Sequence, residues 1–352
     1  MSYTIRIQPS GHVFESGPEE TILDAALRQG VMMPYGCRSG ACGACRGKVT
    51  SGRVDHGGTL DVVLEPRDRE AGAALFCRAR ALSDLTIECR EARKSLDDLP
   101  IKTLPARVRR MTRAAPDVML LELTLPANER LHFLAGQYVE ILLKDGQRRA
   151  FSLANAPGQG EHLELHVRHA PGGQFTEHVF STMKERDILR LNGPHGSFFL
   201  REDSDKPIVM VAGGTGFAPI KSIIEHAIAI GMKRSITLYW GGRTRADLYL
   251  LPLAERWASE HDFLHFVPVL SEPRIDDNWA GRTGLVHQVV MKDFPDFSGR
   301  QTYVCGSPAM VAAARGDFVG KCSLADEDFI ADAFESAASS SRAAQHSSLF
   351  SG

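Results

Sequence analysis

The stretch Pro34-Tyr35-Gly36-Cys37-Arg38-Ser39-Gly40-Ala41-Cys42-Gly43-Ala44-Cys45 sets three cysteines in a C-x4-C-x2-C pattern, and Cys77 follows as a fourth. Thiolates are the preferred ligands of iron–sulfur clusters, and this spacing with a distant fourth cysteine is a [2Fe–2S] arrangement. The interleaved glycines suit that chemistry. Only a chain free of Cβ clashes wraps tightly around a cluster and turns its N–H groups toward the sulfurs. A zinc site and a set of unrelated buried thiols are the other readings. Zinc knuckles favour two short C-x2-C pairs, which this chain lacks. On the first reading the protein stores or passes single electrons.

A chain of 352 residues exceeds one ordinary core, so two or three domains are expected. The formal net charge of −2 is far from the strongly basic footprint of a nucleic-acid binder. No apolar run reaches the ~18 residues of a membrane helix, and the opening MSYTIRIQPS has neither a basic nor an apolar signal region. Neither a membrane span nor a signal peptide is expected. Seven cysteines, four of them in one cluster pattern, indicate reducing cytoplasm and not a disulfide framework.

Working outward, Tyr3 to Gln8 alternates as a strand, with His12 to Glu15 as its hairpin partner. Ile22 to Leu27 reads as an amphipathic helix ended by Gly30. Lys48 to Ser51 and Leu85 to Cys89 read as strands, and Asp68 to Leu75 as a short helix. A small mixed sheet crossed by one helix results. Residues 1–92 resemble plant-type ferredoxins. The resemblance implies a β-grasp fold with Cys37, Cys42, Cys45 and Cys77 as cluster ligands, and N–H groups from Arg38 to Ala44 tuning the cluster.

Residues 93–101 are polar, charged and proline-terminated, as an exposed linker would be. Residues 102–202 then hold short alternating segments typical of an antiparallel β-barrel. Two polar motifs lie on them. In Arg148-Arg149-Ala150-Phe151-Ser152 a guanidinium can bind pyrophosphate, a ring can stack on an isoalloxazine, and a hydroxyl can bond a flavin edge. In Gly172-Gly173-Gln174-Phe175-Thr176 paired glycines lead into an expected helix from Thr176 to Met183, whose N-terminus can hold phosphate. Each motif alone is equally an ordinary strand or turn. Together they resemble the flavin barrel of the ferredoxin–NADP reductase family. That resemblance implies Arg149 and the Gly172-Gly173/Thr176 turn at the flavin phosphates, Phe151 beside the ring, and Ser152 near its N5. The family usually has tyrosine in place of Phe151.

From residue 203 to 336 strands and helices alternate, as in an α/β parallel-sheet nucleotide domain. The apolar run Pro207 to Ala212 enters Gly213-Gly214-Thr215-Gly216, followed by a helix expected from Ile220 to Ile230. Such a turn brings N–H groups and a helix dipole to a pyrophosphate. It resembles the family's nicotinamide-nucleotide loop. After Ser235 to Trp240 come Arg243 and Arg245, suited either to a 2′-phosphate or to plain solvation. The segment resembles those of NADH-using relatives, so NADH is favoured over NADPH. Cys305-Gly306-Ser307-Pro308 resembles the family's C-G-x-P motif, which implies Cys305 and Gly306 at the nicotinamide, and Asp332 and Phe334 match its acid-x-aromatic pattern near the flavin. Residues 337–352 read as a flexible tail.

The order of these units gives the expected function. A nicotinamide yields two electrons as hydride and a [2Fe–2S] cluster accepts one, so a flavin, here FAD, belongs between them. The chain is expected to be a multi-domain reductase carrying electrons from NAD(P)H through FAD and the cluster to a partner protein. That ferredoxin-first order resembles bacterial oxygenase reductases and, more closely, CDP-6-deoxy-delta-3,4-glucoseen reductases, which serve a sugar dehydrase. Electrons are expected to leave by an exposed loop around Arg38 and Ser39. A non-catalytic cluster sensor and a free-flavin reductase are the alternatives, and neither needs all three units.

Overall fold

Three main sheets organise the described residues, 2–89, 99–158, 160 and 162–334, of this computed structural model. Most of the expected linker and the whole expected tail lie outside them.

The first sheet orders Val13–Ser16, Tyr3–Gln8, Leu85–Glu88, Arg46–Ser51 and Ala73–Leu75. Tyr3–Gln8 and Leu85–Glu88 run parallel and the other pairs antiparallel. Period-two alternation turns Ile5 and Ile7 inward, where Ile22, Leu23, Ala25 and Ala26 of the helix Ile22–Arg28 cover them. Thr21 caps that helix by accepting the Asp24 amide. One expectation fails, because Asp68 to Leu75 is not a single helix. The helix is Pro66–Glu70, and Gly72 reverses the chain at φ 91°. Ala73–Leu75 then pairs with Arg46 to Lys48. Alanine and leucine favour helix locally, but the ladder on offer overrides that propensity.

The second sheet is antiparallel throughout, in the order Arg148–Ser152, Tyr138–Leu142, Ile188–His195, Lys102–Ala115, Val118–Thr124 and His162–Arg168. A bridge between Leu153 and Leu165 joins its two edges and closes the barrel. The helix Gln174–Ser181, two residues ahead of expectation, contributes Phe175 and Val179 to the barrel core.

The third sheet is parallel, in the order Arg282–Thr283, Leu264–Leu270, Ile236–Gly242, Ile208–Gly213, Gln301–Gly306 and Phe329–Ala333. The chain builds outward from Ile208–Gly213 to one side, then returns to its other side with Gln301–Gly306. That reversal is a topological switch point, where open α/β sheets receive ligands at the carboxyl ends of their strands. The first helix, Phe217–Ala229, begins three residues before the expected Ile220. Phe217 is stacked on Trp240 at 3.8 Å between ring centroids, which locks the turn's exit onto the next strand. No helix among the described residues is long and apolar enough to cross a membrane.

The three units meet at the cysteine loop. Ala41 and Cys42 are buried in one apolar layer with Val211, Val304 and Ala331 of the parallel sheet. Tyr138 of the barrel packs into the core of the first unit. Ser197, just past the strand Ile188–His195, donates its amide to Tyr35 O at 2.7 Å, and its hydroxyl lies 2.8 Å from both the Tyr35 amide and carbonyl.

Candidate electron-transfer site

The cysteine loop folds back on itself through left-handed backbone at Arg38, Gly40 and Gly43. A side chain at Gly40 would start 2.9 Å from Arg78, so the position excludes a Cβ on packing as well as on φ. The thiols pair two and two: Cys37 with Cys42, and Cys45 with Cys77. The Cys42 amide donates to Cys37 Sγ at 3.3 Å, and the Ala44 amide to Cys42 Sγ at 3.5 Å. Among the described residues no three metal-binding side chains converge as on a single ion. Two thiol pairs with amides aimed at sulfur fit a two-iron cluster, each pair serving one iron.

On the barrel, Ser152 lies across the ladder from Tyr138 and is 4% exposed. Its hydroxyl is buried without a partner among the described residues, a cost that a polar edge of a bound group would offset. Tyr138 donates its hydroxyl to Gly36 O at 3.3 Å, one residue before Cys37. A single side chain therefore spans from the Ser152 ladder position to the cysteine loop. Phe151 turns toward Phe175, 5.1 Å away, at the barrel core. The Arg149 guanidinium is folded onto its own hairpin, on Arg148 O and the Gln147 side chain. In the Gly172-Gly173 turn, the Thr176 hydroxyl accepts the Ala170 amide and contacts the Ala170 and Gly173 carbonyls. Thr176 thus holds the shape of that turn.

At the switch point, Gly213 and Gly306 stand back to back, and a Cβ on Gly306 would lie 3.2 Å from the Gly213 backbone. Gly216 is tighter still, with an added Cβ 2.1 Å from Cys305 O. Thr215 is half-buried on the same turn, and Trp240 Nε1 donates to Gly214 O at 3.0 Å. Arg168 Nη1 bonds Asp247 at 2.9 Å, while its Nε and Nη2 are buried without partners among the described residues. Its guanidinium faces Gly214, 3.3 Å from an ideal Cβ there. Buried guanidinium donors beside a glycine turn fit a phosphate. Cys305 is fully buried, and burial pushes its thiol well above the usual range. Asp332 neighbours it in register, and burial, then Cys37, push its carboxyl up to about 8. The Phe334 amide donates to Gly306 O.

Three family descriptions match along the chain. Residues 5–82 match a 2Fe-2S iron-sulfur cluster binding domain, 105–200 an oxidoreductase FAD-binding domain, and 210–316 an oxidoreductase NAD-binding domain. The CDP-6-deoxy-L-threo-D-glycero-4-hexulose-3-dehydrase reductase of Yersinia pseudotuberculosis is 40% identical, over 95% of this chain and 99% of its own. The chain belongs to the ferredoxin–NAD(P) reductase family.

The reductase component of phenol 2-monooxygenase from a Pseudomonas species is 36% identical to this reductase, over 99% of both chains. Among solved structures, an Amycolatopsis cytochrome P450 reductase superposes with a TM-score of 0.73 at 36% identity, covering 94% of this chain and 98% of its own. The reductase has domains for a [2Fe–2S] cluster, FAD and NAD, and is an NAD(P)H oxidoreductase. The four cysteines come together, and Gly213, Gly214, Gly216, Cys305, Gly306, Asp332 and Phe334 gather around the switch point, while Ser152 is linked to the loop through its ladder partner Tyr138. Arg243 and Arg245 stand apart, both exposed beyond the strand Ile236–Gly242. The outlet expected at Arg38 and Ser39 is partly enclosed. Both are half-buried, and Arg38 is held by Asp24 at 2.6 Å and Glu140 at 3.7 Å. Further along the loop, buried Gly43 and half-buried Ala44 line a cleft of about 1610 Å³. Sequence reasoning missed Arg168, Tyr138 and Ser197. Arg168 lies four residues before the Gly172-Gly173 motif, and its position in an alternating strand is the available signal.

Proposed function

We propose that this reductase oxidises NADH in the cytoplasm and hands electrons singly to a separate protein, the acceptor component of an oxygenase or of a CDP-hexulose dehydrase. The observation that carries the order of transfer is Tyr138, which pairs with Ser152 on one side and bonds Gly36 of the cysteine loop on the other. A bound flavin accepts an electron pair as hydride and releases electrons one at a time.

The chain's own residues divide the remaining work. Gly213, Gly214, Thr215, Gly216 and Arg168 bind the dinucleotide phosphates, with N–H groups and a guanidinium aimed at one crevice. Cys305, Gly306, Asp332 and Phe334 form the wall against which the nicotinamide is oriented. Being buried, Cys305 and Asp332 keep water from that wall. Arg149 and the Gly172-Gly173 turn, shaped by Thr176, hold the flavin phosphates. Phe151 flanks the ring, and Ser152 offers its hydroxyl to the ring's edge. Cys37, Cys42, Cys45 and Cys77 hold the cluster. NADH is favoured because Arg243 and Arg245 are exposed, Arg245 Nη1 donating to Asp277 O at 3.4 Å, and because Asp247 Oδ2 is held by the Arg243 and Thr244 amides at 3.0 Å. The acceptor classes come from the named relatives.

Cys42→Ser tests the order of transfer. NADH-driven cytochrome c reduction is expected to fall at least tenfold while ferricyanide reduction persists. Equal loss of both, in a protein that folds and retains flavin, would contradict it. Mixing the reductase with purified acceptors of the two classes, and following NADH oxidation, separates the acceptor readings.

A further inference from the structure

The helix Pro308–Lys321 of the nucleotide domain carries one cation across the junction. The Arg315 side chain is only 15% exposed, ion-paired with Asp326, and lies over the Phe329 ring at 5.2 Å from its centroid. Its Nη1 stands 3.9 Å from the point where a side chain on Gly43 would begin. Gly43 lies between Cys42 and Cys45, and no bulk separates the guanidinium from that backbone. Ala314, the preceding helix residue, shares an apolar layer with Cys42 itself. On the ferredoxin side Arg46, directly after Cys45, is paired with Asp68 at 3.1 Å. Both ion pairs border the 1610 Å³ cleft.

Taking a guanidinium out of water is costly, and Asp326, 59% exposed, offsets that only in part. A positive charge is thus kept against the cysteine loop by the fold of another domain. Each electron placed on a tetrathiolate cluster adds one negative charge to that loop, and fixed charge nearby sets how readily it is accepted.

We propose that Arg315 is a positioning residue for electron transfer. It holds positive charge on the cysteine loop and makes the cluster easier to reduce while the ferredoxin domain is docked on the nucleotide domain. Coupling of this kind is reciprocal, so the electron that Arg315 stabilises tightens the docking by the same factor. The inference rests on the loop holding the cluster, which the visible spectrum of the loaded protein checks independently.

The test is an equilibrium redox titration of the full holoprotein, reading the cluster by visible absorbance and electron paramagnetic resonance. In Arg315→Gln the reduced-to-oxidised ratio of the cluster at a fixed potential is expected to fall about tenfold, ~59 mV for a one-electron couple. Arg315→Lys, which keeps the charge, should recover at least half of that change, and the flavin couple should stay in place. Asp326→Asn removes the opposing charge and should raise the ratio. An unchanged ratio in Arg315→Gln with a loaded cluster overturns the proposal, as does Arg315→Lys behaving like Arg315→Gln. If Arg315→Gln does not load a cluster, Asp326→Asn decides: a rise supports the proposal and no rise overturns it.

Discussion

Replacing Ser197 with alanine should loosen the ferredoxin domain without unfolding it. The Ser197 hydroxyl accepts the Tyr35 amide and donates to the Tyr35 carbonyl, both at 2.8 Å. Ser197 and Tyr35 are 5% and 2% exposed. Alanine retains the Ser197 N–H bond to Tyr35 O, so the carbonyl keeps one partner. The Tyr35 amide loses its partner and stays buried, at a cost of about 1–3 kcal/mol. If that cost falls on docking, the opening equilibrium of the junction rises roughly 5- to 150-fold. Tyr138 to Gly36 and Arg38 to Glu140 still tie the units, so the docked state should dominate. Hydrogen exchange read by mass spectrometry compares peptides around Gly36 and Cys37 with peptides from Tyr3–Gln8. The first set should exchange faster by that factor and the second should not change. No acceleration at Gly36 would refute the reasoning, and so would equal acceleration in both sets, which reports unfolding and not undocking.

Three further outcomes follow, two from the barrel–nucleotide interface and one from the nucleotide domain's glycine turn. Lys221 Nζ lies 2.8 Å from Glu225, 3.4 Å from Glu164 and 3.0 Å from Ala154 O, so Lys221→Met should cost about 3–5 kcal/mol, on the order of 10 °C in melting temperature. Burial would raise the Glu164 carboxyl, but His166 and Lys221 bring it from 4.5 down to about 2; its contribution of about 3 kcal/mol is therefore present above pH 4.5 and lost as pH falls toward 2. Burial raises Glu225 and opposes this in part, so urea midpoints should fall across that window in the wild type and less in Lys221→Met. Gly216→Ala would force a methyl to 2.1 Å from Cys305 O, against the Cys305–Gly306 peptide, and thermal melts should show a loss of about 3 kcal/mol, the upper end of overpacking costs.

The elements legible in the sequence are those whose reason is local. The cysteine spacing, the glycines at the switch point, and the apolar run into Gly213 each encode a turn or strand by themselves. Ala73–Leu75 reads as helix because its three residues are helix formers, and only the partner strand Arg46–Ser51 makes them extended. Phe217–Ala229 starts earlier than its sequence suggests because its first turn grows directly out of the glycine turn and is fixed by Trp240, in the next strand. The junction was illegible for a stronger reason. Tyr35 and Ser197 are 162 residues apart, and nothing in either neighbourhood says that they meet. Arg168 had a visible chemistry but no visible address, since its orphaned nitrogens have meaning only beside Gly214.

The burial of Ala41 and Cys42 under the parallel sheet also orders the protein's maturation. A thiol that is 3% exposed beneath Val211 and Ala331 cannot be reached by a carrier delivering iron and sulfide. Assembly of the metal centre must therefore precede closure of the three units, or wait for them to part. The ferredoxin unit, whose strands all lie between Tyr3 and Glu88, leaves the ribosome ahead of the parallel sheet and can be charged before the sheet that covers it exists.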